Sequence, residues 1–117
     1  LADAGRVAAA ITGLVPRDPR VRLAISGGVN RPPFERTPGV ADLYHRAQAV
    51  AAELGRSLGE GATGGASDGN FTGALGVPTL DGLGAVGHGA HALDEHILLE
   101  PLAFRAALLA GLVLQVQ

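Results

Sequence analysis

Two glycine-rich stretches hold the residues whose types and spacing could do chemistry. They are GATGGASDGN at 61–70 and LDGLGAVGHGAH at 80–91. Glycine lets backbone amides approach an anion closely, and a helix start behind such a loop adds its dipole. The second stretch opens a cluster of imidazoles, His88, His91 and His96, with Asp94 and Glu95 between the last two. Neutral imidazole is a common metal ligand, and zinc centres combine it with carboxylate. An anion cradle beside a metal ligand would suit a metallohydrolase.

Each signal has a plainer counterpart. The histidine spacing is not the helical His-Glu-x-x-His pattern, so metal ligands and ordinary polar loop residues both fit it. Asp94 and Glu95 are adjacent, so on a loop or strand they should point apart into solvent. His45 lies off the apolar stripe of its helix and should be solvated. The loop at 61–70 lacks the Gly-Lys-Ser/Thr end of a phosphate loop. An anion cradle and a tight turn with Ser67 or Asp68 as N-cap therefore stand side by side. Arg31, in VNRPP, carries a planar guanidinium on a stiff connector. That suits bidentate carboxylate recognition, or equally a solvated or salt-bridged arginine. Asn30 shares that ambiguity. Ser26, Ser57 and Ser67 have no nucleophile context, so no Ser-His-Asp triad can be argued.

The elements that must position these groups follow from patterning. Val7, Ile11 and Leu14 share one helical face within 2–14, and Pro16 and Pro19 end that helix. Val21, Leu23 and Ile25 alternate, which predicts a half-buried strand at 21–27. GGVNRPPFERTPG at 27–39 is an extended connector. Thr37 caps a helix with Pro38 in its first turn. Val40, Leu43, Ala47, Val50, Ala51 and Leu54 form its stripe, and Gly55 stops it. A short strand is predicted at 57–61. A short helix follows with Phe71 and Leu75, then a buried strand at 77–80. A last helix runs from Pro101 to about Val116, apolar around much of its circumference through Leu102, Leu108, Leu109, Leu112, Val113 and Val116. The order reads as α/β.

Composition narrows the classes. At 117 residues, 47% hydrophobic and 17% charged, the chain suits one small globular domain rather than disorder. Phe34, Tyr44, Phe71 and Phe104 are its aromatics, so Ala, Leu and Val must fill the core. A net charge of −2 gives no pull toward nucleic acid or an anionic membrane. All nine basic residues are arginines, which excludes a lysine nucleophile, Schiff base or P-loop lysine here. Without cysteine there are no disulfides or thiolate ligands. Arg6 and Arg17 interrupt the apolar start, so no signal peptide is expected. Glu100, Pro101 and Arg105 interrupt the run from Leu98, which favours a buried helix over a membrane span. The start at Leu1 and the lack of methionine suggest a processed or excised piece.

Taken in order, four segments resemble the C-terminal part of the zinc-dependent aminoacylase/carboxypeptidase metallopeptidase family. They are SGGVNRPPFERT, ADLYHRAQAVAAELG, TGGASDGNF and VPTLDGLGAVGHGAHALDEHILLEPL. The carboxypeptidase G or glutamate carboxypeptidase-like branch fits best. The resemblance implies the C-terminal part of a zinc-exopeptidase-type α/β/α catalytic domain, preceded by the last helix and strand of an inserted α/β lid. It places the end of the lid, the dimerisation domain, at 1–29, a linker at 30–39 and the catalytic part at 40–117. It implies hydrolysis of the amide bond of an N-acyl amino acid or a C-terminal residue, by a full-length parent holding two zinc ions; cobalt or manganese could use the same ligands.

By the same resemblance His91, in GAHALDE, is the C-terminal zinc ligand. Arg31 contacts the carboxylate of a small peptide or N-acyl amino acid substrate, with Asn30 carried over beside it. The backbone of Gly64 and Gly65 helps hold the substrate, and Asp68 stabilises the loop. His88 and His96 receive no role. The family's upstream histidine, bridging aspartate, other carboxylate ligands and Glu-Glu base are absent. No catalytic residue is therefore assigned, and the piece alone should be inactive. A homodimer and a cytoplasmic location are expected, with no nucleic-acid or membrane partner. The alternative is a non-enzymatic anion- or metal-binding α/β module, its local site formed by His88, His91 and His96.

Overall fold

The structure is a computed structural model and describes residues 2–115. Leu1, and Val116 of the predicted last stripe, lie outside the described residues. In chain order the elements are α1 (Ala2–Thr12), α2 (Pro38–Glu53), α3 (Gly69–Ala74), β1 (Gly87–His88), β2 (His96–Ile97) and α4 (Leu102–Gln115). The chain divides into two compact units, one formed by 2–35 and 65–77, the other by 36–64 and 78–115.

The second unit holds the apolar core: Ala47, Val50 and Ala51 of α2 against Leu108 and Leu112 of α4. Helix α2 forms as its sequence directs. Thr37 is extended and its hydroxyl accepts from the Val40 amide at 3.3 Å, with Pro38 at the helix start. Gly55 (φ 70°) follows the helix in the left-handed conformation that glycine adopts without strain. The two helices meet closely because position 111 has no side chain. A Cβ there would lie 2.5 Å from Val50 Cγ1. Leu58, Leu80, Leu83 and Phe104 pack around this centre. Leu108 has no exposed surface, and burying such a side chain contributes about 1.5–3 kcal/mol.

Polar contacts fasten the loops to that helix pair. The Tyr44 hydroxyl donates to the Leu58 carbonyl at 2.9 Å, and Gln48 Nε2 donates to the Tyr44 hydroxyl at 2.8 Å. Arg105 of α4 donates through Nε to the Gly84 carbonyl at 2.7 Å and through Nη2 to the Gly82 carbonyl. Arg56 pairs with Glu100 at 2.6 Å. Arg36 Nε donates to Glu60 at 2.8 Å. That hydrogen bond holds the Glu60 carboxyl below its ordinary value and raises the Arg36 guanidinium.

The first unit is built differently. Helix α1 ends on the Thr12 hydroxyl, which donates back to the Ala8 and Ala9 carbonyls. Its stripe is present, yet Val7, Ile11 and Leu14 are all exposed. Helix α3 carries Gly73, where Phe34 packs so closely that a Cβ would sit 3.0 Å from the ring.

Three predicted strands do not form among the described residues. Residues 21–27, 57–61 and 77–80 join no ladder. A strand exists only through its partner, since its amides and carbonyls must be paired across a ladder. Alternating Val21, Leu23 and Ile25 give the right pattern, but no segment of the described chain pairs with them. Val21 and Leu23 are about half exposed. The described ladder is instead a two-stranded antiparallel hairpin that the sequence did not announce, with Gly87 opposite Ile97 and His88 opposite His96. The described residues form helices and one small sheet. No helix is long and apolar enough to cross a membrane among the described residues.

Candidate functional site

In the first unit the connector and the glycine loop are joined by one buried amide. Asn70 is 7% exposed. Its Nδ2 donates to the Pro32 carbonyl at 2.8 Å, while its Oδ1 accepts from the Ser67 amide at 2.9 Å. A buried side-chain amide with both ends satisfied fixes two backbone segments at once. The segment it fixes carries Arg31, one residue before Pro32. The Arg31 guanidinium lies 4.9 Å from the centre of the Phe71 ring, within cation–π range. Its Nη2 stands 3.2 Å from Asp68 Oδ1. Arg31 is thus already facing a carboxylate, and that carboxylate is 93% exposed. Asn30 sits beside it in an exposed bend.

Asp68 occupies the N-cap position of α3 but makes no capping hydrogen bond; its partner is Arg31. The Ser67 hydroxyl accepts from the Gly69 amide at 3.1 Å, and the Asn70 and Phe71 amides go to the Ser67 and Asp68 carbonyls. Those amides are spent inside the turn, so the start of α3 is a closed turn. Gly64 and Gly65 precede it in exposed backbone. A Cβ on Gly64 would meet nothing within 4 Å. Gly64 and Gly65 fall on either side of the boundary between the two units.

In the second unit the imidazoles lie on the β1–β2 hairpin. Gly87 must be glycine because a Cβ would run into the His96 carbonyl of the facing strand. Gly89 (φ 71°) turns the chain out of β1, and a Cβ there would lie 3.1 Å from Asp94. The turn is closed by the Ala92 amide donating to the Gly89 carbonyl at 2.8 Å. His91 stands in this turn, exposed, with φ 66°. A left-handed backbone is unusual for a residue other than glycine and marks a position whose surroundings over-determine it. His88 and His96 stand opposite each other, their ring centres 5.7 Å apart and their planes tilted by 54°. Asp94, Glu95 and His45 are exposed, as their patterning indicated.

No group of three histidine, cysteine, aspartate or glutamate side chains that could hold a metal exists among the described residues. A structural or catalytic zinc centre takes at least three protein ligands. The described residues therefore do not fit a complete zinc centre, and His91 offers at most one ligand. Asn70 is the residue that sequence reasoning missed. Its signal was an asparagine directly after a glycine-rich loop, where Asn commonly bonds nearby backbone.

Over 67 residues the chain is 42% identical to a succinyl-diaminopimelate desuccinylase of Verminephrobacter eiseniae (strain EF01-2). The match covers 57% of this chain but only 16% of that relative. No solved structure matches the chain. The model of Peptidase family M20/M25/M40 matches residues 5–115, nearly the whole length. The chain belongs to Peptidase family M20/M25/M40.

Proposed function

We propose that this chain is the C-terminal part of a metal-dependent amidohydrolase that releases an amino acid bearing a free carboxylate from an N-acyl or peptide precursor. The observation that carries the reading is the family match across residues 5–115. In this reading Arg31 receives the substrate carboxylate. The Phe71 ring beneath it and the Asn70 bond beside it hold the guanidinium in place before substrate arrives, which favours binding by pre-organisation. Asp68 occupies the guanidinium meanwhile, and an incoming carboxylate would share or displace it. Asn30 and the backbone of Gly64 and Gly65 would contribute polar contacts to the rest of the substrate. The branch is glutamate carboxypeptidase-like; the desuccinylase named among its relatives makes an N-succinyl amino acid the first alternative to test.

Two zinc ions would supply Lewis-acid chemistry in the whole enzyme. His91 would give one ligand, and the remaining ligands and the general base would come from residues outside this chain. Residues 1–29 would then close an α/β lid that mediates homodimerisation, with 21–27 completing a ladder against lid strands, 30–39 as linker and 40–117 as catalytic domain. A cytoplasmic, dimeric enzyme is the setting proposed.

The test is kinetic, on the protein that contains this chain, with an N-acyl glutamate and an N-succinyl amino acid as substrates. His91→Ala should abolish turnover of the preferred substrate. Arg31→Ala should raise KM by roughly 10- to 100-fold, the worth of one charge-assisted pair. Unchanged kinetics in both variants would overturn the proposal.

A further inference from the structure

We propose that His88 and His96 form a second, separate binding site for a divalent transition metal on the outer face of the β1–β2 hairpin. The register places them directly opposite each other, and opposed residues of an antiparallel pair project from the same face. Their ring centres are 5.7 Å apart and tilted by 54°. Two imidazoles sharing one tetrahedral zinc at the usual Zn–N distance have centres roughly 5 Å apart, so the observed spacing is close to that of a two-histidine chelate. Both residues are exposed and border one surface depression with Ala85, Ala90, Glu95 and Ile97.

The tautomer is also set. His96 Nδ1 lies 2.8 Å from the Asp94 carbonyl. A carbonyl oxygen can only accept, so Nδ1 carries the proton and the neutral ring keeps its lone pair on Nε2. A backbone carbonyl holding the distal nitrogen is the usual outer-shell support of a ligating histidine. The hairpin is held by two glycines: a Cβ at Gly87 would collide with the His96 carbonyl, and Gly89 has a left-handed backbone (φ 71°) that strains any other residue. The two imidazoles therefore stand on a constrained backbone, and the Asp94 carbonyl restrains the His96 ring. Solvent completes the coordination, so the site takes zinc, nickel or copper ions from solution more weakly than a three- or four-ligand centre. It does not depend on the hydrolase reading, because His91 takes no part in it.

The experiment is a calorimetric titration of zinc chloride into the 117-residue chain at neutral pH. It is repeated on His88→Gln, His96→Gln and His91→Ala, with circular dichroism confirming helix content in each. One zinc per chain is expected for the parent and for His91→Ala. Each glutamine variant should bind about tenfold more weakly or worse. Nitrogen-15 spectra of the imidazoles give an independent readout, in which zinc should move the Nε2 signals of His88 and His96 together. No binding, binding indifferent to both glutamine changes, or binding lost in His91→Ala would each overturn the proposal. None of these results bears on turnover by the His91→Ala enzyme, so the two readings fail separately.

Discussion

The two units hold themselves together by different physics. In residues 36–64 and 78–115, two helices bury Ala47, Val50, Ala51, Leu108 and Leu112 against each other, and the loops are fastened around them. In residues 2–35 and 65–77 the buried residue is polar: Asn70 links the Pro32 carbonyl to the Ser67 amide, while the stripe of α1 stays exposed. Apolar packing is non-directional and scales with buried area. A hydrogen-bonded staple depends on two contacts and their geometry. Damage to the first unit should therefore be local, and damage to the second should spread through its helix pair.

The sharpest way to break that contrast is Leu108→Ala. Removing this fully buried side chain should cost about 2–5 kcal/mol, read as a lower urea midpoint by helix circular dichroism. A loss below about 1 kcal/mol would mean that the helix pair is not where this unit's stability resides. Gly111→Ala tests the close approach itself. Alanine is the better helix former by about 1 kcal/mol. The new Cβ would meet Val50 at 2.5 Å, and overpacking of this kind costs about 1–3 kcal/mol. The expected result is a lower melting temperature; a rise would show that the helices separate at little cost.

Asn70→Ala addresses the other unit. Losing the staple should cost about 1–3 kcal/mol. Amide exchange should accelerate at Ser67 and along the start of α3 and leave the α2 and α4 amides unchanged. Faster exchange across the helix pair would erase the distinction between the units. The smallest effect is expected from Glu60→Gln. Arg36 holds the Glu60 carboxyl below its ordinary value of 4.5. A carboxyl whose folded pKa is depressed adds stability above its unfolded pKa and loses it as pH falls through the folded one. Stability of the natural chain should decline as pH drops below about 4.5, and the Gln variant should decline slightly less. The pair is solvated, so the difference should be small.

Much of the frame was legible in the residues. Thr37, Pro38 and Gly55 bound α2 because capping and helix termination are local events. The last helix after Pro101 was read from its apolar residues, and the short helix after Asp68 forms although Asp68 makes no capping hydrogen bond. The strand expectations failed where the reason is not local. Alternation at 21–27 records which side chains would face inward, but not whether a partner exists to pair the backbone. The hairpin was missed from the other direction, because Gly87–His88 and His96–Ile97 are too short to show a period. The family was legible because four motifs keep their order over most of the chain.

By itself, then, the sequence determined the helices, the family and the residue types available for chemistry, since caps, stripes and motif order are written in neighbouring residues. Only the tertiary structure decided who faces whom. It set Asp68 against Arg31 rather than on its own helix, and turned Asn70 back to Pro32 across 38 positions. It stood His88 opposite His96 while placing His91 in the turn with φ 66°. Those pairings depend on register and on where glycine permits backbones to meet, and neither is encoded in the spacing of one segment.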